Sequence, residues 1–291
     1  MRLPAWQSQV VLLSLIEHTG TSGTERTVMT GPALRYSAAL PACAALFLAL
    51  ASVAAQAAAA DWVLERQGEG RVAAVVDTRG FRLEDGREVR LAGIERAGTD
   101  TASGRTALSA IITGRDVTLH GEDDTPDRYG RQSAFVFVTG SEQSVQSELL
   151  RRGEALVSSA ISDKNCAAAL SAAEGAARDA KLGIWANSTA IKNAESPGDI
   201  LAAIGHFTVV EGRVLSVRQA GAITYLNFGR NWTRDFAATI SRRIIPALES
   251  AGLGPKSLEN RRIRVRGVVS SRGGPRIEVF RVGQIEVLGG K

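Results

Sequence analysis

The stretch Val75–Gly98 reads VVDTRGFRLEDGREVRLAGIERAG. With the residues just before it, it breaks into three short runs of strand-like alternation: GRVAAVVDT (Gly70–Thr78), GFRLEDG (Gly80–Gly86) and REVRLAGI (Arg87–Ile94). Asp85-Gly86, between the last two, is a hairpin signal. Downstream, the pattern predicts a short amphipathic helix over Arg105–Ile112, ending near Gly114. Strands follow over Arg115–Gly121 and Gln132–Val138, joined by the charged loop EDDTPDRYGR (Glu122–Arg131). Two helices, Ser144–Leu156 and Cys166–Trp185, complete the segment. Five strands with a helix before the fourth predict a small closed OB-type barrel carrying three helices, a mainly β fold with helices (α+β).

The chain has 291 residues, enough for two ordinary domains, and its 44% hydrophobic and 22% charged content is that of a globular protein. Three scattered His and two Cys, at positions 43 and 166, exclude zinc fingers, iron–sulfur sites and a disulfide scaffold. The net charge of +5 is unevenly spread: residues 61–190 carry 16 basic and 20 acidic side chains, residues 191–291 carry 16 basic and eight acidic. Such asymmetry predicts two domains with different surfaces.

The amino terminus reads as a targeting segment. Arg35 precedes an apolar run, Ala38–Ala55, that ends in small residues through Ala60, the three-part pattern of a secretory signal peptide at residues 29–60. Met29 is then the expected initiator, and residues 1–28 are expected to be a start-site artefact or disordered. Cleavage after Ala60 gives an exported protein, periplasmic or secreted, starting at Asp61 and without a stable membrane anchor. It keeps a single cysteine, Cys166.

At residues 68–187 the sequence resembles the staphylococcal (thermo)nuclease family. The resemblance is carried by Val75–Gly98, DRYGRQSAFVFV (Asp127–Val138), SELLRRGEALV (Ser147–Val157) and AARDAKLGIW (Ala176–Trp185). It implies a calcium-dependent phosphodiesterase site, but the site residues depart from the family pattern. Where the family has D-G-D-T, this chain has Asp77-Thr78-Arg79-Gly80, so a cation replaces the second carboxylate. Where the family has R-L-x-x-I-D-x-P-E, it has Arg90 through Gly98, with Glu95 in place of a metal-binding Asp and Gly98 in place of the Glu near the attacking water. Arg131 matches the family's second phosphate-binding arginine. On this resemblance Arg90, Arg131 and Glu95 stand at catalytic positions, and Asp77 and Glu95 are the remaining metal ligands.

Calcium needs several oxygen ligands, commonly with two or more carboxylates, to offset dehydration. Arg79 adds repulsion in a site that already holds Arg90 and Arg131, and without a held metal and a placed carboxylate there is little to activate water. Two readings stay open: Arg79, Arg90 and Arg131 together form an anion site, since guanidinium forks suit phosphate oxygens, or Arg90 and Arg131 are structural and pair with Glu95, Asp77 or Glu122–Asp124. Cys166 has no nearby His, and Trp185 reads as a packing residue.

Residues 188–204 read as a linker, and residues 205–291 as a second small, basic, OB-like barrel. Its helix is expected within Arg242–Gly252. Arg264 and Arg266 share one strand face, and Tyr225, Phe228 and Trp232 are candidates for a stacking platform beside them. The alternative is that Tyr225 and Phe228 fill the barrel and the arginines form a solvated face. The segment NFGRNWTRD (Asn227–Asp235) sets Trp232 between Arg230 and Arg234.

Three functions compete. The leading one is an exported protein of nuclease-like fold with a degenerate site, binding DNA, RNA or another polyanion through Arg79, Arg90, Arg131, Arg264, Arg266 and Trp232 without efficient hydrolysis. The second is a divergent calcium-dependent nuclease, the only one that needs Ca2+ as a cofactor. The third is an envelope module that binds a protein partner.

Overall fold

Alternating burial builds the first sheet. In β1 (Glu65–Val75), β2 (Gly80–Leu83) and β3 (Glu88–Leu91), the residues Val72, Phe81, Leu83, Val89 and Leu91 point into one core. Val117 and Leu119 of β5 (Asp116–Gly121) and Ala134 and Val136 of β6 (Arg131–Val138) complete it. Each large apolar side chain so buried contributes about 1.5–3 kcal/mol. The order β1-β2-β3-β6-β5 closes into a five-stranded barrel, with β3 and β6 parallel and the other pairs antiparallel. The parallel pair needs a crossover, which α1 (Ala102–Ile112) and β5 provide.

This computed structural model describes residues 64–96, 102–161 and 163–289. The targeting segment with Met29 and Cys43, the start-site reading of residues 1–28, and Gly98 lie outside the described residues. Among those described, no helix is long and apolar enough to cross a membrane.

Two short strands, β4 (Ile94–Arg96) and β7 (Ala155–Val157), pair outside the barrel. The expected helix over Ser144–Leu156 is shorter, α2 (Val145–Arg151), because Gly153 takes φ +69° and the chain then extends into β7. The expected helix over Cys166–Trp185 also divides, into α3 (Lys164–Asp179) and a 3-10 turn, Gly183–Ala186. Both breaks have one cause. A Cβ on Gly153 would lie 2.2 Å from the Leu182 carbonyl oxygen, and one on Gly183, at φ +53°, 2.4 Å from the Gly153 carbonyl oxygen. The glycines of LLRRG and KLGIW therefore let two backbones touch, and the Ile184 N–H donates to Gly153 O at 3.0 Å.

The second sheet has eight strands: β8 (Ile191–Asn193), β9 (Phe207–Arg213), β10 (Ser216–Ala220), β11 (Ile223–Asn227), β12 (Ala237–Ser241), β13 (Arg262–Ser271), β14 (Pro275–Val279) and β15 (Ile285–Leu288). Their order is β10-β11-β12-β14-β13-β9-β8, with β15 on β13 and with β12 and β14 parallel. Only Val214 and Leu215 separate β9 from β10, so they are two halves of one bent strand and the path returns on itself. The strand sequence then matches the first barrel, with α5 (Ile245–Ser250) at the position α1 holds there.

Residues 188–204 are not a free linker. β8 pairs in parallel with β9, and Ile200 of α4 (Pro197–Leu201) is fully buried in the second core. The stretch looked like a linker because β8 is three residues long, too short to display alternation.

Both sheets belong to one compact unit. Leu156, Ala177 and Trp185 of the first pack with Val209 of β9 in a shared apolar cluster. Beside it, Arg266 of β13 donates to Glu174 of α3 at 2.9 and 3.2 Å and to the Val157 carbonyl at 3.2 Å. The Glu174 side chain is 1% exposed and also accepts the Val157 N–H at 2.8 Å. Removing one partner of a buried ion pair leaves an uncompensated charge and costs about 3–5 kcal/mol, whereas replacing both with apolar groups is often neutral. Glu174→Leu should therefore lower the unfolding free energy by about 3–5 kcal/mol. Glu174→Leu with Arg266→Met should recover part of that loss, the remainder being the cost of the Val157 N–H and carbonyl left without partners, as read from urea denaturation of the three proteins.

Candidate functional site

The turn between β1 and β2 sets out the family positions. Asp77 Oδ1 accepts the Arg79 backbone N–H at 2.9 Å, which closes a tight loop and aims the Arg79 side chain away from Asp77. A Cβ on Gly80 would sit 3.0 Å from that same oxygen, so glycine lets the carboxylate fold back here. The Arg79 side chain is 13% exposed; it ion-pairs with Glu95 of β4 and donates to the Ile94 carbonyl at 2.9 Å.

Calcium does not fit this donor set. The Glu95 carboxylate is engaged by a guanidinium, and one Asp77 oxygen already receives a backbone N–H. Among the described residues, no group of three or more His, Cys, Asp and Glu side chains is placed to hold a metal ion. Arg79 stands beside Glu95 as a built-in cation, a structural pairing that the sequence offered for Arg90 and Arg131 but not for Arg79.

Arg90 and Arg131 are brought together. Both line a small pocket of about 100 Å³ with Asp77 and Glu88, because β3 and β6 run parallel with Glu88 opposite Arg131 and Arg90 opposite Ser133. Glu95 and Arg79 do not line it. Arg131 is nonetheless not free: its Nε and Nη2 donate to Asp127 Oδ2 at 3.0 and 2.7 Å. The partner is thus Asp127 in place of the expected Asp77, Glu95 or Glu122–Asp124.

The D-x-Y-G-R motif explains that pairing. Asp127 Oδ1 accepts the N–H groups of Tyr129 and Arg131 at 2.9 and 3.1 Å, and Gly130 takes φ +76°, so the carboxylate organises its own turn. The turn presents Tyr129, which is largely exposed, with the guanidinium carbons of Arg128 and Arg131 at 4.7 and 4.8 Å from its ring centroid. Tyr129 was not a candidate from sequence, because a lone tyrosine in a charged loop carries no spacing signal.

The second sheet overturns part of the expected anion site. Arg264 is nearly buried and bonded to Glu211 and Glu286, each at 2.9 Å, and Arg266 is taken up by Glu174. The register causes this, since Arg264 lies directly opposite Glu211 of β9 and Glu286 of β15. Phe228 fills the core against Phe236, with ring centroids 5.0 Å apart, and so leaves the proposed platform. Trp232 is 73% exposed on the loop between β11 and β12. Cys166 is buried; burial above all, then Asp163 and Glu122, pushes its thiol up to about 12, so it is no nucleophile.

The Arg131 side-chain hydrogen bond, helped by the Arg131 and Tyr129 backbone N–H groups, lowers the Asp127 carboxyl from 3.8 to about 2. Because the folded value is depressed, the stabilisation is complete above 3.8 and is lost as pH falls through about 2. Arg131→Ala should move the Asp127 titration up toward 3.8, read by carbon-detected NMR of the side-chain carboxyl.

The family pieces of the sequence thus occupy one barrel and its flanking helices, with β4 and β7 pinned against it. No curated protein matches the chain. A family-level match exists and starts within β3, so that Asp77 and Arg79, where the site departs furthest from the pattern, precede it. Residues 89–187, about a third of the chain, match the model of the staphylococcal nuclease homologue family and are similar to that domain.

Proposed function

We propose that this is an exported protein whose nuclease-type barrel holds nucleic acid or another polyanion without cleaving it efficiently. The observation that carries the reading is Arg79, whose guanidinium pairs with Glu95 and the Ile94 carbonyl at the position a metal-dependent site would need open to a cation. A phosphodiester cleaved through calcium requires a hard cation to polarise the phosphate and a carboxylate to position water. Here the side chains that would supply them are committed to an internal ion pair. Arg90 and Arg131 remain around a pocket open to solvent, and planar guanidinium groups suit phosphate oxygens without any metal. Export rests on the Arg35–Ala60 pattern of the sequence.

One observation favours a second reading, a divergent calcium-dependent nuclease: Asp77, Arg90 and Arg131 still share a pocket. Incubating supercoiled plasmid and single-stranded DNA with the protein, in calcium and in chelator, separates the two. The expected result is no difference between the two conditions. Calcium-dependent products that vanish in Arg131→Ala would overturn the binding reading. Arg79→Asp replaces the internal cation with a carboxylate between Asp77 and Glu95. Calcium should then raise the melting temperature of that variant and leave the wild type unchanged.

A further inference from the structure

The second sheet has a groove that the family match does not cover. It has a volume of about 810 Å³ and runs over the outer face of β10, β11 and β12, walled by the 228–236 loop. Alternation assigns its floor. Val217, Leu226 and Ala238 face the core, so Arg218 of β10, its cross-strand partner Tyr225 of β11, and Asn227 point outward. Arg276 of β14 lies opposite Ala237 of β12, and that small side chain keeps the floor low. The Arg276 guanidinium carbon sits 5.6 Å from the Tyr225 ring centroid.

The wall is braced. Asp235 Oδ2 accepts the Asn231 N–H at 2.7 Å, and Asn231 Oδ1 accepts from the Thr233 backbone and hydroxyl at 3.1 and 2.7 Å. A Cβ on Gly229 would lie 2.0 Å from Asp235 Oδ2, so the loop closes this tightly only with glycine there. The bracing holds Arg230 and Trp232 at the groove's edge.

What distinguishes this face is its uncommitted charge. Arg262, Arg264 and Arg266 of β13 each hold a carboxylate. Among the described residues, none of Arg218, Arg230 and Arg276 has a carboxylate oxygen within 4.0 Å. The acidic side chain sharing the outer face is Glu278, on β14 opposite Thr239.

We propose that this groove binds single-stranded nucleic acid, with phosphates on Arg218, Arg230 and Arg276 and bases stacked on Tyr225 and Trp232. Unpaired arginines call for an anionic chain, and exposed aromatic faces call for flat groups free to stack. A duplex keeps its bases stacked on one another, so it offers the phosphates without the bases. The proposal rests on the reading of the chain as a polyanion binder and gives that binding a place and a ligand class.

The test is fluorescence anisotropy of the full chain with labelled oligo(dT) of about 15 nucleotides, a length that fills one such site. A duplex of equal length and unlabelled polyphosphate serve as competitors. Oligo(dT) should bind at least tenfold more tightly than the duplex. Trp232→Ala and Tyr225→Ala should each weaken binding by about 5- to 150-fold, the range that corresponds to one lost stack. Arg230→Gln should flatten the slope of log affinity against log salt by about 0.7, the share of one phosphate contact on a single strand. Trp232 is mostly exposed, so its removal leaves the fold intact, as a thermal melt would verify.

Tight binding that survives the groove substitutions and fails in Arg131→Ala would overturn the groove and keep the polyanion reading. Polyphosphate competing as well as oligo(dT) would overturn base stacking. No binding to any nucleic acid at low salt would overturn both readings.

Discussion

One carboxylate, Glu174, sets the relation between the two sheets and reaches the candidate site. Buried in α3, it binds the Val157 N–H with one oxygen and the Arg266 guanidinium with both, while Arg266 takes the Val157 carbonyl. The outward backbone groups of Val157 are thereby satisfied by the second sheet and α3 together. Val157 is the register partner of Ile94, and Ile94 with Glu95 holds Arg79. The pairing of β7 with β4 thus links the Glu174–Arg266 pair of the join to the loop at Asp77. In an apolar join such a network is costly unless complete, and here each charge has its partner.

That network changes what the basic character means. The last hundred residues carry twice as many basic as acidic side chains, and the densest run, RRIRVR, drew attention as an anion site. In the fold the two arginines of this run proposed as anion ligands, Arg264 and Arg266, are buried and paired. Their strand, β13, lies at the centre of the second sheet, with β9 and β15 supplying Glu211 and Glu286 and the first module supplying Glu174. Arg218, Arg230 and Arg276 are scattered in sequence and share one open face. Guanidinium groups already bonded to carboxylates offer little field to a distant phosphate, so the scattered set is the one that attracts an anionic chain.

Much of the fold was legible because it rests on local signals. The Asp85-Gly86 hairpin, the alternation of Phe81, Leu83, Val89 and Leu91, and the motif glycines each encode their structure within a few residues. What escaped was long-range. β7 reads as the end of a helix until Gly153 is seen to need contact with Gly183, and β8 is a strand only because β9 is beside it. Within the site, the loss of the metal pattern was visible in Asp77-Thr78-Arg79. The partners were not legible: the sequence assigned none to Arg79, and that of Arg131, Asp127, looked like an ordinary loop residue. Phe228 and Tyr225 were indistinguishable as platform or core until the β11 register turned Tyr225 outward and Phe228 inward.

The arginine at position 79 also alters what the barrel depends on. A site that needs a bound cation to balance its carboxylates is stable and active only while that cation is present. A guanidinium bonded to Glu95 and a backbone carbonyl supplies the same sign of charge permanently, from within the chain. It gives the β1–β2 loop a fixed position relative to β4, and through β4 relative to the join. A guanidinium supplies no open coordination position, so on the proposed binding reading metal-independent order takes the place of Lewis-acid chemistry. A similar constraint applies at Arg131, expected on the resemblance to meet phosphate, which ties down its own turn through Asp127. A phosphate reaching that arginine must compete with Asp127, whereas one reaching Arg218, Arg230 or Arg276 has no paired carboxylate to displace. The energetic advantage for an anionic chain therefore lies on the second sheet, away from the barrel that carries the family resemblance.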